Sequence, residues 1–293
     1  MDGLIPSQER ILLRVQQGKK EHPEYESFLD FWEKILSVQA AFNSRIKVAE
    51  VDLPESLTPL KLKEGFPLMV WNKALFEESL FQEVFLALCQ ATRESNKKFE
   101  KEIPGIEKWH KDNGPAFSDW LNLFFQEERK PFLQKAHDHG LDADLMVFLF
   151  SASWKLFMKS WSEALAPRLT PIKEEWNRGY CPVCGSGPLL SFLQEDGKRV
   201  AVCSTCEQIW PIPRLYCPNC GNTDQKTLGY FVVEEDEGDR IEVCDLCRHY
   251  LKTLDLRKKG VDPIPVIEDL LTTHLDLWAQ KKGYKKQPLF VRK

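Results

Sequence analysis

Four Cys-x-x-Cys pairs lie within 67 residues of this chain and use eight of its nine cysteines. One such pair supplies two ligands of a tetrahedral metal site, and a hairpin that brings two pairs together completes a four-cysteine site. The sequence therefore predicts two metal ions per chain, each held by four sulfur atoms. The predicted ligands are Cys181, Cys184, Cys203 and Cys206 for the first site and Cys217, Cys220, Cys244 and Cys247 for the second.

An internal repeat favours this pairing of the cysteines. Residues 181–186 match residues 217–222, and residues 200–206 match residues 241–247, so the region holds two copies of one small unit. Each copy contains a predicted β-hairpin between its two Cys-x-x-Cys pairs, and an Asp-Gly turn marks the first hairpin. Because interleaved pairing would break the repeat, we expect each copy to bind its own ion.

The identity of the metal stays open between zinc and iron, because both accept four thiolates in tetrahedral geometry. Protein ligands fill all four positions, which leaves no place for a bound water and argues against metal-assisted hydrolysis. A redox dithiol is the competing interpretation, but the βαβ pattern around a thioredoxin-like Cys-x-x-Cys is not visible here. The sequence predicts no catalytic residue. The ninth cysteine, Cys89, lies in an apolar helical stretch and is predicted to be a buried structural thiol.

The fold class that we expect is multidomain, with a large α part and a small β part. Apolar residues recur with helical spacing in the first half, which predicts an all-helical domain over residues 1–178. The two four-cysteine ribbons follow as residues 179–212 and 213–258, and residues 259–293 are predicted to hold a C-terminal helix and a basic tail. Three prolines predict an irregular connection over residues 51–70.

Charge and hydropathy argue against two classes of partner. The net charge is −4, and residues 181–250 hold eleven Asp and Glu against six Lys and Arg, which opposes binding to nucleic acid. The longest apolar run, around residues 145–150, is too short to span a bilayer, so we expect no membrane insertion. The first residues do not have the pattern of a signal peptide, and we expect a cytoplasmic protein.

The same features resemble the formate dehydrogenase accessory protein family. The resemblance is carried by the four Cys-x-x-Cys pairs, by Trp210 ahead of Arg214, and by Tyr250-Leu251-Lys252. It continues through Asp262-Pro263, Glu268-Asp269-Leu270, Leu275-Asp276 and Gly283-Tyr284, and more loosely through Gly65-Phe66-Pro67-Leu68 in the first half. It therefore spans nearly the whole chain and is specific from residue 179 to residue 284.

The resemblance implies a cytoplasmic maturation factor that is not itself a dehydrogenase and not a subunit of the finished enzyme. Such a protein binds the catalytic subunit of a respiratory formate dehydrogenase before export and is needed for that subunit to become active. The resemblance also implies that the two four-cysteine units are rubredoxin-like, that they are associated with iron, and that the eight cysteines are their ligands. It assigns no residues to partner contacts and leaves open whether the chain forms a homodimer.

Two alternative functions stay open from the sequence alone. Rubredoxin-type iron would make the chain an electron-transfer protein, because iron adds a one-electron redox function that zinc lacks. A nucleic-acid-binding zinc ribbon is the third interpretation, which the excess of acidic residues disfavours.

Overall fold

The computed structural model describes residues 8–48, 57–69, 76–95, 97–125, 129–169, 176–233, 236–259 and 263–286. Several features predicted from the sequence lie partly outside these ranges. They are Pro54 in the predicted irregular connection, part of the acidic loop of the second hairpin, and the last residues of the basic tail.

In the described part of the chain, eight α-helices precede the first strand. They are α1 (Gln8–Glu21), α2 (Glu26–Asn43), α3 (Leu57–Lys63), α4 (Glu78–Ser95), α5 (Glu102–Asn113), α6 (Phe117–Phe125), α7 (Arg129–Asp138) and α8 (Ala143–Leu169). The irregular connection predicted over residues 51–70 is wrong for residues 57–63, which form helix α3. Pro59 is the third residue of α3, and a proline is tolerated in a first turn because its missing N–H would have no helical partner there.

The chain divides into two compact units. One unit holds α1, α2, α4 to α7 and most of α8, and the other holds α3, the end of α8 and everything after it. This division differs from the domain boundary predicted at residue 178, because α3 and the end of α8 belong to the same unit as the ribbons. The four predicted ranges themselves stay predictions.

Aromatic side chains form the core of the helical unit. Phe150 of α8 is fully buried, and its ring contacts those of Phe81, Phe85, Phe117 and Trp120 at centroid separations of 5.2–6.4 Å. Rings at these distances add edge-to-face and offset contacts to the burial of apolar area. The helical apolar spacing in the sequence thus corresponds to a closely packed aromatic interior.

The described strands of the second unit form one mixed sheet. They are β1 (Pro188–Leu193), β2 (Arg199–Cys203), β3 (Ile209–Pro211), β4 (Leu228–Val233), β5 (Asp236–Cys244), β6 (His249–Asp255) and β7 (Lys285–Lys286). They follow the order β3-β2-β1-β6-β5-β4, and β7 pairs with β6. Each copy of the repeat contributes three antiparallel strands, and the hairpin signals predict the first two of each.

A parallel contact between β1 and β6 joins the two copies into a single sheet. Ser191 is paired with Thr253, and their hydroxyl oxygens lie 2.7 Å apart in a buried hydrogen bond. Arg199 spans the same junction: its side chain is 1% exposed and forms an ion pair with Glu242 of the second copy. The sequence predicts the two ribbons, but this pairing between them has no local signal.

Three short helices come after β6 among the described residues. They are α9 (Leu256–Lys259), α10 (Pro265–Leu271) and α11 (Thr273–Lys281). The single C-terminal helix predicted over this stretch is therefore divided, and the break lies at Thr272, whose hydroxyl donates to the carbonyl of Glu268 at 2.7 Å. Helix α11 packs Leu275 and Ala279 against Ile241 and Tyr250 of the second copy. The fold class itself, with helices first and a small sheet bearing two four-cysteine clusters after them, is as predicted.

Candidate metal centres

The first cluster brings together Cys181, Cys184, Cys203 and Cys206. The two Cys-x-x-Cys turns lie at the same end of the β1–β2 hairpin, one before β1 and one after β2. Their four sulfur atoms all lie within 4.8 Å of one another, and the closest pairs are 3.4 Å apart. A tetrahedral ion with bonds of about 2.3 Å to sulfur needs sulfur–sulfur separations of about 3.8 Å. A small adjustment of the thiols therefore accommodates one ion.

The second cluster repeats this arrangement with Cys217, Cys220, Cys244 and Cys247. Its four sulfur atoms also lie within 4.8 Å of one another. The sulfur of Cys217 is 3.6 Å from that of Cys247, and the sulfur of Cys220 is 3.8 Å from that of Cys244. These are the two sets of four that the sequence repeat favours. The donor chemistry of both sets, four thiols and no oxygen ligand, fits the tetrahedral sites of zinc or iron.

Left-handed backbone closes all four Cys-x-x-Cys turns. Gly185 and Gly221 follow the first turn of each copy with φ angles of 78° and 76°. Glu207 and Arg248 hold the same position after the second turns, with φ angles of 59° and 58°. These second turns have no glycine at this position. They adopt the left-handed conformation with non-glycine residues, at a cost of about 1–2 kcal/mol each.

Backbone amides stabilise the sulfur atoms of the first cluster. The amides of Val183 and Thr205 each lie 3.4 Å from a sulfur, those of Cys181 and Cys203 respectively. N–H groups that point at thiolate sulfur disperse its negative charge and orient the ligand. The turn therefore supplies both the ligands and part of their electrostatic environment.

A segment distant in sequence packs beside the first cluster. The amides of Leu68 and Met69 donate to the carbonyls of Pro182 and Val183, both at 2.9 Å. Pro67 lies so close that a Cβ on Gly185 would approach its ring to 3.1 Å. These contacts give a structural reason for the short sequence resemblance at residues 65–68, which the Cys spacing alone does not explain.

The two clusters differ in their exposure. All four cysteines of the first cluster are buried, whereas Cys220 of the second is exposed and Cys247 is partly exposed. In the second cluster Asn222 donates from Nδ2 to the sulfur of Cys244 at 3.5 Å. His249 lies close by, but its Nδ1 is 2.8 Å from the carbonyl oxygen of Cys247. The second cluster is therefore the more accessible of the two.

Without a cation, each cluster favours few negative charges. Burial and contacts with the other thiols raise the pKa of Cys181, while burial opposes ionisation of Cys184 but hydrogen bonds from its neighbours lower its pKa. In the second cluster burial likewise opposes ionisation of Cys244, yet hydrogen bonds led by that of Asn222 lower its pKa to about 7. Burial raises the pKa of Cys217. A bound divalent ion would allow all four thiols to ionise together.

A buried charge cluster explains several residues of the sequence resemblance. The side chain of Lys252 is fully buried, and its Nζ lies 2.6 Å from a carboxylate oxygen of Asp269 and 2.6 Å from one of Asp276. The hydroxyl of Tyr250 donates to Asp276 at 2.7 Å. Sequence reasoning did not identify this cluster, because its members come from β6, α10 and α11. These ion pairs link α10 and α11 to strand β6 of the second copy.

Cys89 lies outside both clusters. It is fully buried in α4, as predicted, and burial raises the pKa of its thiol. None of the described helices is long and apolar enough to cross a membrane.

Comparisons with known proteins find two family models that match the ribbon region and relatives that match most of this chain. Family models described as "FdhE, central domain" and "FdhE, C-terminal domain" match residues 180–214 and 215–290. A "Protein FdhE homolog" of Aquifex aeolicus is 28% identical over 279 residues, covering 94% of this chain and 91% of the relative. Another of Proteus mirabilis is 30% identical over 282 residues, covering 94% and 84%.

A solved structure has the same fold. The crystal structure of the FdhE protein from Pseudomonas aeruginosa matches with a TM-score of 0.63 at 21% identity, covering 97% of this chain and 96% of the other. The similarity therefore includes the helical part as well as the ribbons.

Proposed function

Because the chain belongs to the FdhE family of formate dehydrogenase accessory proteins, we propose that it acts in the maturation of a formate dehydrogenase. It binds the catalytic subunit in the cytoplasm, before export, and is needed for that subunit to become active. The observation that carries this proposal is the similarity to family members over 94% of the chain, from the helical part to the second four-cysteine cluster.

The chain does not catalyse formate oxidation in this proposal. The eight cysteines would each hold one position around two ions, and a set of four thiolates would leave no open position for a substrate or water. Bound zinc would supply a cross-link between the turns of each ribbon, and bound iron would add one-electron chemistry to that cross-link. The residues of the ribbons then present a fixed surface to the partner.

A gene deletion combined with a binding assay tests this function. Deletion of the gene should abolish formate dehydrogenase activity while the catalytic subunit is still synthesised, and the wild-type chain should restore it. The purified chain should also bind the purified catalytic subunit. Full activity in the deletion strain, or no binding to the subunit, would refute the proposal.

Electron transfer through rubredoxin-type iron is the second candidate function. It is favoured by the exposure of Cys220, because a ligand sulfur at the surface gives a redox partner close access to the ion. Anaerobically purified protein with visible absorption that dithionite bleaches would support this function. Colourless protein with two zinc ions would exclude it.

Nucleic acid and membranes are not proposed as partners. Residues 181–250 carry more acidic than basic side chains, which opposes phosphate binding. Mixed RNA and DNA at low salt should therefore show no salt-sensitive binding. A homodimer is compatible with the proposed function, and light scattering of the purified chain measures it directly.

A further inference from the structure

The internal repeat makes one segment of β1 equivalent to one segment of β4. In the first copy, residues 191–193 pair with residues 199–201 of β2. In the second copy, residues 230–232 pair in the same way with residues 240–242 of β5. The cysteine alignment equates these stretches of β2 and β5, so residues 191–193 and 230–232 occupy the same place in each ribbon.

The outer edges of these two segments differ. The edge of β1 is covered by β6, which pairs with it in parallel along residues 191–193 and leaves those residues fully buried. Among the described strands β4 pairs only with β5. Its Tyr230, Phe231 and Val232 are 63%, 43% and 44% exposed. An edge that a strand covers in the first copy is therefore not paired with any described strand in the second.

The composition of β4 is unusual for an open edge. Soluble proteins protect edge strands with charged residues, prolines or bulges, because an open ladder pairs readily with another strand. The sequence of β4, Leu-Gly-Tyr-Phe-Val-Val, carries no charge and no proline, and its register shift lies only at its last two residues. Such an edge is typical of proteins that bind an extended segment by adding it to their sheet.

A basic groove adjoins this edge. It has a volume of about 390 Å³ and runs from Tyr230 and Glu242 to the linker residues Arg214 and Leu215. Its described lining includes three arginines, Arg199, Arg214 and Arg240, against the single acid Glu242. Arg199 and Arg240 are paired with Glu242, while Arg214 forms no ion pair with any described residue. Arg214 thus offers the groove a guanidinium that no described carboxylate neutralises, and this charge complements an acidic ligand.

We propose that the open β4 edge and this groove form one docking surface for an extended, acidic segment of the catalytic subunit. The segment adds to the sheet beside β4, in the place that β6 takes beside β1, and its acidic side chains reach Arg214 and Arg240. This inference rests on the proposed function, since it assigns the partner of that function to a surface.

Paired variants of the full-length chain test the surface with the purified catalytic subunit as the probe. The double variant Tyr230→Ser/Val232→Ser removes two of the three exposed apolar side chains of the edge, and Arg214→Glu reverses the unpaired charge. Each should bind the subunit about tenfold more weakly or worse, as expected for residues at the centre of an interface. In the wild-type complex, amide exchange should slow over Leu228–Val233.

Matched controls keep this test specific. Leu60→Ser/Leu277→Ser removes two side chains that are 56% and 64% exposed elsewhere, and Lys226→Glu reverses an exposed charge in the same ribbon. These controls should bind like the wild type, and every variant should retain its metal content. If wild type and all variants bind equally, the docking surface is wrong while the proposed function stands. If the wild type does not bind, both are overturned. If the edge variants instead dissociate a dimer, the edge belongs to a second copy of this chain and the inference is overturned.

Discussion

At the scale of single residues, four backbone positions determine whether the cysteines can converge. Two are Gly185 and Gly221, and two are Glu207 and Arg248 in the same left-handed conformation. The sequence could not identify the latter pair, because neither residue type prefers a positive φ. The geometry of the four-cysteine clusters imposes that conformation on them.

Substitution at Glu207 tests the conformational cost of this position. Glycine adopts a positive φ freely, whereas a β-branched residue strongly resists it. Glu207→Val should therefore unfold with a free energy about 1–2 kcal/mol lower than that of Glu207→Gly. Thermal unfolding of both variants with metal in excess measures the difference. Equal stability of the two would show that the left-handed backbone is not formed in solution.

Lys252 tests the buried charge cluster. Lys252→Met keeps most of the apolar stem but removes the fully buried cation of Asp269 and Asp276, which leaves them the partly exposed Lys286. Removal of one partner from a buried pair costs about 3–5 kcal/mol, and we expect a loss in this range. Lys226→Met, at an exposed site of the same ribbon, should change stability little. Denaturant unfolding that shows the same small effect for both would contradict the cluster.

The pH dependence of the cluster has a defined sign. Burial opposes ionisation of Asp269, but the charges of Lys252 and Lys286 lower its pKa overall. A carboxyl whose pKa is lower in the folded state stabilises the fold above its unfolded pKa of about 3.9, and that stability is lost as the pH falls through the folded pKa. The stability difference between wild type and Asp269→Asn should thus be full near pH 6 and shrink below about pH 4. A difference that stays constant across this range would contradict the assignment.

At the scale of elements, local signals predicted the hairpins well and the contacts between distant elements poorly. The strands β1, β2, β4 and β5 follow from turn residues between apolar runs, and the long α8 follows from its apolar pattern. The parallel pairing of β1 with β6 and the packing of residues 67–69 beside the first cluster join parts that are far apart in sequence. The hydrophobic periodicity within each segment does not indicate these long-range contacts.

The division of the predicted C-terminal helix has a similar cause. Apolar residues continue with helical spacing across Thr272, so the pattern alone favours one helix. The break depends on the hydroxyl of Thr272, which bonds back to the carbonyls of Glu268 and Asp269. Side-chain hydrogen bonds of this kind compete with the helical ladder, and only the tertiary context decides the outcome.

The difference in exposure between the two clusters predicts the order of metal loss. A chelator reaches the second cluster through the exposed Cys220, whereas the first cluster must open before any sulfur is accessible. Metal release into a colorimetric chelator should therefore have two phases, with rates that differ by about tenfold if opening costs about 1.4 kcal/mol. Cys220→Ser should lack the fast phase, and Cys184→Ser should lack the slow one. A single phase in the wild type, or the reverse assignment, would contradict this order.

At the scale of the whole molecule, the chain combines an aromatic helical unit with a sheet whose two ribbons depend on eight thiols. The sequence identified those thiols, their grouping and the family resemblance. It did not indicate the proposed docking surface, because the outer edge of β4 is left unpaired only through the order of the described strands. The proposed maturation role and the proposed docking surface both require that the cysteine turns of each ribbon converge.

Metal stoichiometry tests the central claim most directly. Native mass spectrometry of anaerobically isolated protein, with elemental analysis of the same sample, should find two ions of zinc or iron per chain. Denaturation of that sample should release eight reactive thiols from the two clusters in addition to Cys89. Metal-free protein in which the eight cysteines are joined as disulfides would contradict the account.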